Sequence, residues 1–155
     1  MTTEDARQMR GLVDEVLRLH GRLVAVNVDH GAAESLTGAE VMVLRAVVNA
    51  ERSPTVPQIG RSLGHARQSV QRVANALTAR GLLALKENPD HKRAPLLIPT
   101  EAGRAAHSRV HQHSQAWTRR VTEGIEPGSI GRAAETLRAL RVRMEADLAA
   151  KRPAG

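Results

Sequence analysis

The sequence predicts a mainly α-helical chain with one short hairpin set among the helices. Three observations lead there. Apolar residues recur at helical spacing along most of the 155 residues, in a composition rich in the helix formers Ala, Leu, Arg and Glu. The periodic runs are separated by breakers at Ser53-Pro54, Gly64, Gly81, and Gly124 with Pro127. From Leu82 to Ile98 the pattern changes to two short extended runs around a basic loop. Phe, Tyr and Cys are absent and Trp117 is the one tryptophan. The core must therefore be aliphatic, and disulfides, thiolate zinc sites and thiol redox chemistry are excluded.

The first helix spans Thr3 to about His30, with Thr3 as cap and Glu4 and Asp5 at its positive end. Its apolar band, from Met9 through Leu12, Val16, Leu19 and Leu23 to Val26, is wider than one small core requires. That width predicts burial on two sides, as in a subunit interface. Thr37 and Glu40 make a capping box for the second helix, whose core face is Val41, Leu44, Val47 and Val48. Thr55-Val56 amounts to a strand fragment at most. Pro57 opens a third helix with Ile59 and Leu63 inward, and Gly64 closes it. The fourth helix runs from about Arg67 to Arg80, its buried stripe being Val70, Val73, Ala74 and Leu77. Strands follow at Leu82–Lys86 and Pro95–Ile98. Thr100 caps a long fifth helix to about Glu123, with Ala106, Val110, His113, Trp117 and Val121 along one stripe. The last helix starts near Ser129, and Ile130, Leu137, Met144 and Leu148 repeat along it at nearly heptad spacing, suited to helix-on-helix packing. Residues 151–155 read as a tail.

Two short helices meeting at a glycine, followed by a basic hairpin, describe a helix-turn-helix with a wing, a device for reading duplex DNA. The second of those helices turns Arg67, Gln68, Ser69, Gln71, Arg72 and Asn75 away from its buried stripe. Asn and Gln side chains complement adenine and Arg complements guanine, so these residues are candidates for base and phosphate contact. Lys92 and Arg93 form the wing tip, with Arg93 suited to a narrow minor groove and Lys92 to phosphate. The charge supports a polyanion partner. The net charge is +7, residues 1–37 carry four basic and six acidic side chains, and residues 38–105 carry ten basic and five acidic.

With those motifs in place, the chain resembles the multiple-antibiotic-resistance regulators, the MarR family of winged-helix transcription factors. The resemblance rests on LTGAEVMVLRAV (36–47), PQIGRSLGHARQSVQRVANALTARGLL (57–83), NPDHKRA (88–94) and PTEAGRAA (99–106), in order and at matching spacing. It implies a homodimer shaped like a triangle. Residues 1–36 and 100–150 would form the helical dimerisation region and residues 37–99 the winged helix, within a single structural domain. It further implies binding to a pseudopalindromic operator in double-stranded DNA, repression, and release by a small, often aromatic, effector lodged between the two regions. Trp117 and His113 are the candidates to line that pocket. Three positions depart from the family pattern. Ala66 stands where many members cap the recognition helix with Ser or Thr. His91-Lys92-Arg93 replaces the usual Asp-x-Arg of the wing, with Asp90 displaced by one. Pro99 replaces an aliphatic residue before Thr100.

Other chemistry is thinly supported. His107 and His111 share a helix face, as metal ligands often do, but His113 falls on the apolar stripe and no acidic residue or cysteine nearby completes a set, so no metal site and no cofactor are assigned. There is no phosphate-binding glycine loop and no nucleophile elbow, so the chain does not read as an enzyme. No signal peptide and no apolar run of membrane-spanning length is present, which makes a cytoplasmic protein the expectation. Two alternatives to a ligand-released repressor stay open. One is an architectural DNA-coating protein with low sequence specificity; the other is a metal-responsive regulator using histidines.

Overall fold

The computed structural model describes residues 3–151. They form α1 (Thr3–Ala32), α2 (Gly38–Val48), α3 (Val56–Leu63), α4 (Arg67–Ala79), β1 (Leu83–Lys86), β2 (Leu96–Pro99), α5 (Glu101–Thr122) and α6 (Ser129–Ala150). This is the mainly helical, winged helix-turn-helix fold predicted from the sequence. The expected tail beyond Lys151 lies outside the described residues. The chain divides into two compact units, residues 1–116 and 117–155, and α5 runs from the first into the second. Among the described residues no helix is long and apolar enough to cross a membrane.

In the first unit the helix starts follow local chemistry. Thr37 Oγ1 accepts from the Glu40 amide at 3.2 Å, and Glu40 Oε2 accepts from the Thr37 amide at 2.8 Å. Thr55 and Gln58 repeat the same reciprocal box at the start of α3, with Gln58 Oε1 accepting from the Thr55 amide at 2.7 Å. Each box satisfies two backbone donors that a helix start otherwise leaves open. Thr3 departs from expectation: it already lies within α1 and is not its cap.

Apolar side chains from α2, α3, α4 and the hairpin meet in one aliphatic core. Leu44, Leu77, Leu83 and Leu97 are completely buried, and Val70, Ala74 and Ile59 pack among them. The α5 stripe joins this core only through Ala106 and Val110; His113 and Val121 are exposed. Both strands start one residue later than predicted, β1 ending at Lys86 as expected and β2 running on to Pro99. Leu82 is claimed by the turn, where its amide donates to Leu77 O and its carbonyl accepts from Thr100. The antiparallel register pairs Leu83 with Pro99 and Lys86 with Leu96. Pro99 has no N–H, which suits the last position of the ladder. Thr55 adds one isolated bridge to Leu96, and Leu97 N donates to Pro54 O, so the predicted strand fragment amounts to a single pairing.

Thr100 joins α5 to this unit. Its hydroxyl donates to Gly81 O at 2.6 Å and accepts from the Gly103 amide at 3.0 Å, capping the helix as predicted. Gly103 lies against Leu82 O so closely that a Cβ there would collide with backbone. In the second unit, Gly124 and Gly128 both take positive φ, and the chain turns there into α6, which has no buried residue.

Candidate nucleic-acid interface

Gly64 adopts the left-handed conformation, φ 67°, that closes α3 and lets the chain reverse into α4. Helix α4 then buries Val70, Ala74 and Leu77 and turns Arg67, Gln68, Gln71, Arg72 and Asn75 to solvent, with Ser69 half-buried at the edge. All six sequence-predicted residues of this helix are thus on or beside one polar face. The face is partly ordered: Gln71 Nε2 donates to Asn75 Oδ1 at 2.9 Å. As the Ala66 departure implies, α4 has no side-chain cap, unlike α2 and α3.

The wing is held from inside by Asn88. This buried side chain donates to Ala94 O at 2.9 Å and accepts from the Asp90 amide at 3.1 Å, pinning both limbs of the loop. Lys92 and Arg93 are left exposed at the tip. Among the described residues no ion pair joins Arg93 to Asp90. Sequence reading gave Asn88 no role of its own. The available signal was the Asn-Pro-Asp order, because an Asn side chain readily accepts from an amide two residues on.

An open cleft lies between the wing, α3 and the start of α4. Arg52, Arg61, Arg67, His91 and Arg93 line it, against Glu51 and Asp90. Arg52 and Arg61 were not among the predicted residues, because a single arginine in a loop or on a short helix carries no positional signal until the wing folds opposite it. The surplus of fixed positive charge beside the exposed face of α4 suits a phosphate backbone.

The far end of α4 is tied down by Arg80. Its guanidinium donates to Ser35 O and Glu34 O, each at 3.0 Å, and to Glu40 Oε1 at 3.3 Å. Arg109 on α5 clamps Glu34 with two hydrogen bonds of 2.6 and 2.8 Å. That clamp holds the Glu34 carboxyl below its ordinary pKa. At Glu40 burial pushes the pKa up, but the Thr37 hydrogen bonds and Arg80 together outweigh it, and the net direction is down. The turn between α1 and α2 is thereby anchored to both the end of α4 and α5.

A MarR family model matches residues 34–94, the stretch that contains α2, both helices of the helix-turn-helix, β1 and the wing loop. The chain belongs to the MarR family. A protein of Mycobacterium tuberculosis named only as uncharacterized is 36% identical over 147 residues, 95% of this chain and 99% of its own. Among solved structures, the MarR family transcription regulator SP03579 superimposes with TM-score 0.72 at 23% identity, covering 97% of this chain and 98% of its own. CouR from Rhodococcus jostii RHA1, bound to p-coumaroyl-CoA, superimposes with TM-score 0.72 at 19% identity over 81% of this chain and 88% of its own. BpsR from Bordetella bronchiseptica, whose DNA binding is regulated by 6-hydroxynicotinic acid, does so with TM-score 0.65 at 25% identity over 83% and 91%. Proteins of this fold thus include one bound to a small molecule and one whose DNA binding a small molecule regulates.

The other sequence candidates of this MarR chain are scattered. His113 is exposed in the first unit, near enough to Glu34 to contribute to its lowered pKa. Trp117 is half-buried in the second unit. His107 and His111 stack with ring centroids 6.5 Å apart and planes 11° from parallel. Burial first, then the charges of His111 and Arg45, push the His107 pKa down. Among the described residues no group of three or more His, Cys, Asp or Glu gathers as a metal site would require.

Proposed function

We propose that this MarR-family protein is a homodimeric repressor that binds a pseudopalindromic operator in double-stranded DNA and is released by a small, often aromatic, effector. The observation that carries the reading is the exposed polar face of α4 beside the arginine-lined cleft under the wing. Gln68 and Arg72 read bases, Arg67 and Lys92 hold phosphate, and Arg93 enters the minor groove. Self-association is supported by apolar side chains left exposed on helices of both units: Val13, Leu17 and Leu23 on α1, and Ile130, Met144 and Leu148 on α6. So much apolar surface is unusual for a monomer. Residues 1–36 with 100–150 serve as the dimerisation region and 37–99 as the DNA-binding region.

An effector releases DNA only if it binds one spacing of the two recognition helices better than the other, because equal affinity shifts nothing. Those helices must reach successive major grooves about 34 Å apart. Trp117 and His113 line the effector pocket in this reading. CouR and BpsR, as ligand-linked members of the same fold, support that class of control.

The test is footprinting on genomic fragments followed by titration with aromatic acids and phenols. Protection of discrete palindromes, and release by a ligand that also changes Trp117 fluorescence, are the expected results. Uniform coverage with no preferred site would replace the repressor with an architectural protein. Zinc-dependent binding abolished by chelator would replace it with a metal-responsive regulator. Normal release from Trp117→Leu would move the pocket elsewhere.

A further inference from the structure

The Gln71–Asn75 hydrogen bond has a consequence for which base the recognition helix reads. The two residues lie one turn apart on the exposed face of α4, and neither amide is used in packing. Two free surface amides ordinarily rotate independently, and each can present either its oxygen or its nitrogen to a base. Here Gln71 Nε2 donates to Asn75 Oδ1 at 2.9 Å, which fixes the orientation of both. One Nε2–H of Gln71 is committed. Its second N–H and its carbonyl oxygen remain, an adjacent donor and acceptor. In the major groove adenine presents the complement, an N7 acceptor beside an N6–H donor. Guanine presents two acceptors, N7 and O6, and would need both N–H groups of the same amide. The committed N–H leaves Gln71 one donor short for guanine.

We infer that Gln71, held by Asn75, is an adenine-reading residue, and that each half-site of the operator carries an adenine at the position Gln71 meets. Asn75 is a positioning residue: it acts through Gln71. The inference rests on the reading of α4 as a recognition helix and adds a base identity to it.

The experiment selects binding sites from a pool of randomised duplexes with the intact protein and with variants, and scores base preference position by position. The wild type enriches a two-fold symmetric site with one adenine position per half-site that Gln71→Ala alone flattens, by about tenfold in discrimination. Asn75→Ala weakens preference at that same position and no other. Asn75→Asp keeps an acceptor for Gln71, so it retains the adenine preference while weakening binding to all sequences alike through its charge. Gln71→Glu has only acceptors, and the preferred base there shifts to cytosine, whose N4 group donates. Melting temperatures of all four variants stay within a degree or two of wild type, as expected for exposed substitutions. If Gln71→Ala selects the wild-type site unchanged, or if the two alanine variants alter different positions, the inference is wrong while operator recognition stands. If the wild type enriches no site, the operator reading itself falls and this inference with it.

Discussion

Single residues divide here into those that the proposed function turns toward DNA and those that hold the frame. Arg93 belongs to the first group, because no ion pair with Asp90 restrains it and the wing is held by Asn88 instead. Arg93→Ala should weaken operator binding at least tenfold in a gel-shift titration. It should change unfolding free energy by no more than about 0.5 kcal/mol. A large stability loss with unchanged DNA affinity would make it a structural residue. Gly103 belongs to the second group. Its Cα packs on Leu82 O with no room for a side chain, so Gly103→Ala must push α5 off the turn at 81–82. Overpacking of this kind costs about 1–3 kcal/mol, to be read from urea denaturation. Wild-type stability in that variant would mean that α5 shifts freely. The role of Gly103 was not legible beforehand, whereas Arg93 stands out in the sequence as a minor-groove candidate at the wing tip. Gly103 looked like one more residue in a helical stretch, and the wing departure left the partner of Arg93 open until the loop geometry was known.

Element by element, the contrast between capped and uncapped helices yields the next expectation. Helices α2 and α3 start with reciprocal boxes, whereas α4 starts at Ala66 with no side-chain acceptor. Ala66 already has the extended backbone of an N-cap, φ −60° and ψ 136°, so Ala66→Ser needs no rearrangement to supply one. The gain should be about 1 kcal/mol, seen as a higher melting temperature. An unchanged or lower melting temperature would show that the open amides of α4 are satisfied in another way. The ends of these helices also set the acid response. The Glu34 and Glu40 carboxyls are held below their ordinary pKa, so their stabilisation is present at neutral pH and lost as pH falls through the carboxylate range. The His107 pKa is also lowered, and its contribution is lost earlier, as pH drops below the ordinary histidine value of 6.5. Melting temperature should therefore decline in two stages on acidification, and His107→Gln should remove the upper one. A flat profile between pH 7 and 5 in the wild type would contradict this.

At the scale of the whole molecule, the dominant fact is apolar surface without a cover. Leu17 is 65% exposed and Leu148 is 64% exposed, and α6 buries no residue at all among those described. Exposed apolar faces of this kind mark sites of association. Sedimentation at micromolar concentration should return the mass of a dimer. Leu17→Glu combined with Leu148→Glu should yield monomer or aggregate and abolish operator binding, since two half-sites must be engaged together. A monomeric wild type with full DNA affinity would overturn the dimer. The sequence anticipated this surface correctly, because a helical band wider than one core can use is visible in the spacing of apolar residues alone.

What the sequence determined by itself was local. Thr37 with Glu40, Pro57 at the start of α3, Gly64 and Thr100 each act on backbone groups within a few residues, so their effect can be read from order and spacing. The same holds for the face of α4, since helical periodicity separates Val70, Ala74 and Leu77 from Gln68, Gln71, Arg72 and Asn75. Tertiary structure decided whatever depends on chain segments far apart in sequence. Arg80 finds Glu34, Ser35 and Glu40 some forty residues away, and Arg109 finds Glu34 across 75. Arg52 and Arg61 gain a role only when the wing closes a cleft over them. The first strand starts at Leu83 and not Leu82 because Leu82 is held by Leu77 and Thr100, contacts that the hydrophobicity of the segment does not encode. The physical reason is common to all of these. Side-chain periodicity and capping act within a turn or two of backbone, whereas the partner of a long flexible arginine is chosen by which carbonyls and carboxylates packing leaves within its reach.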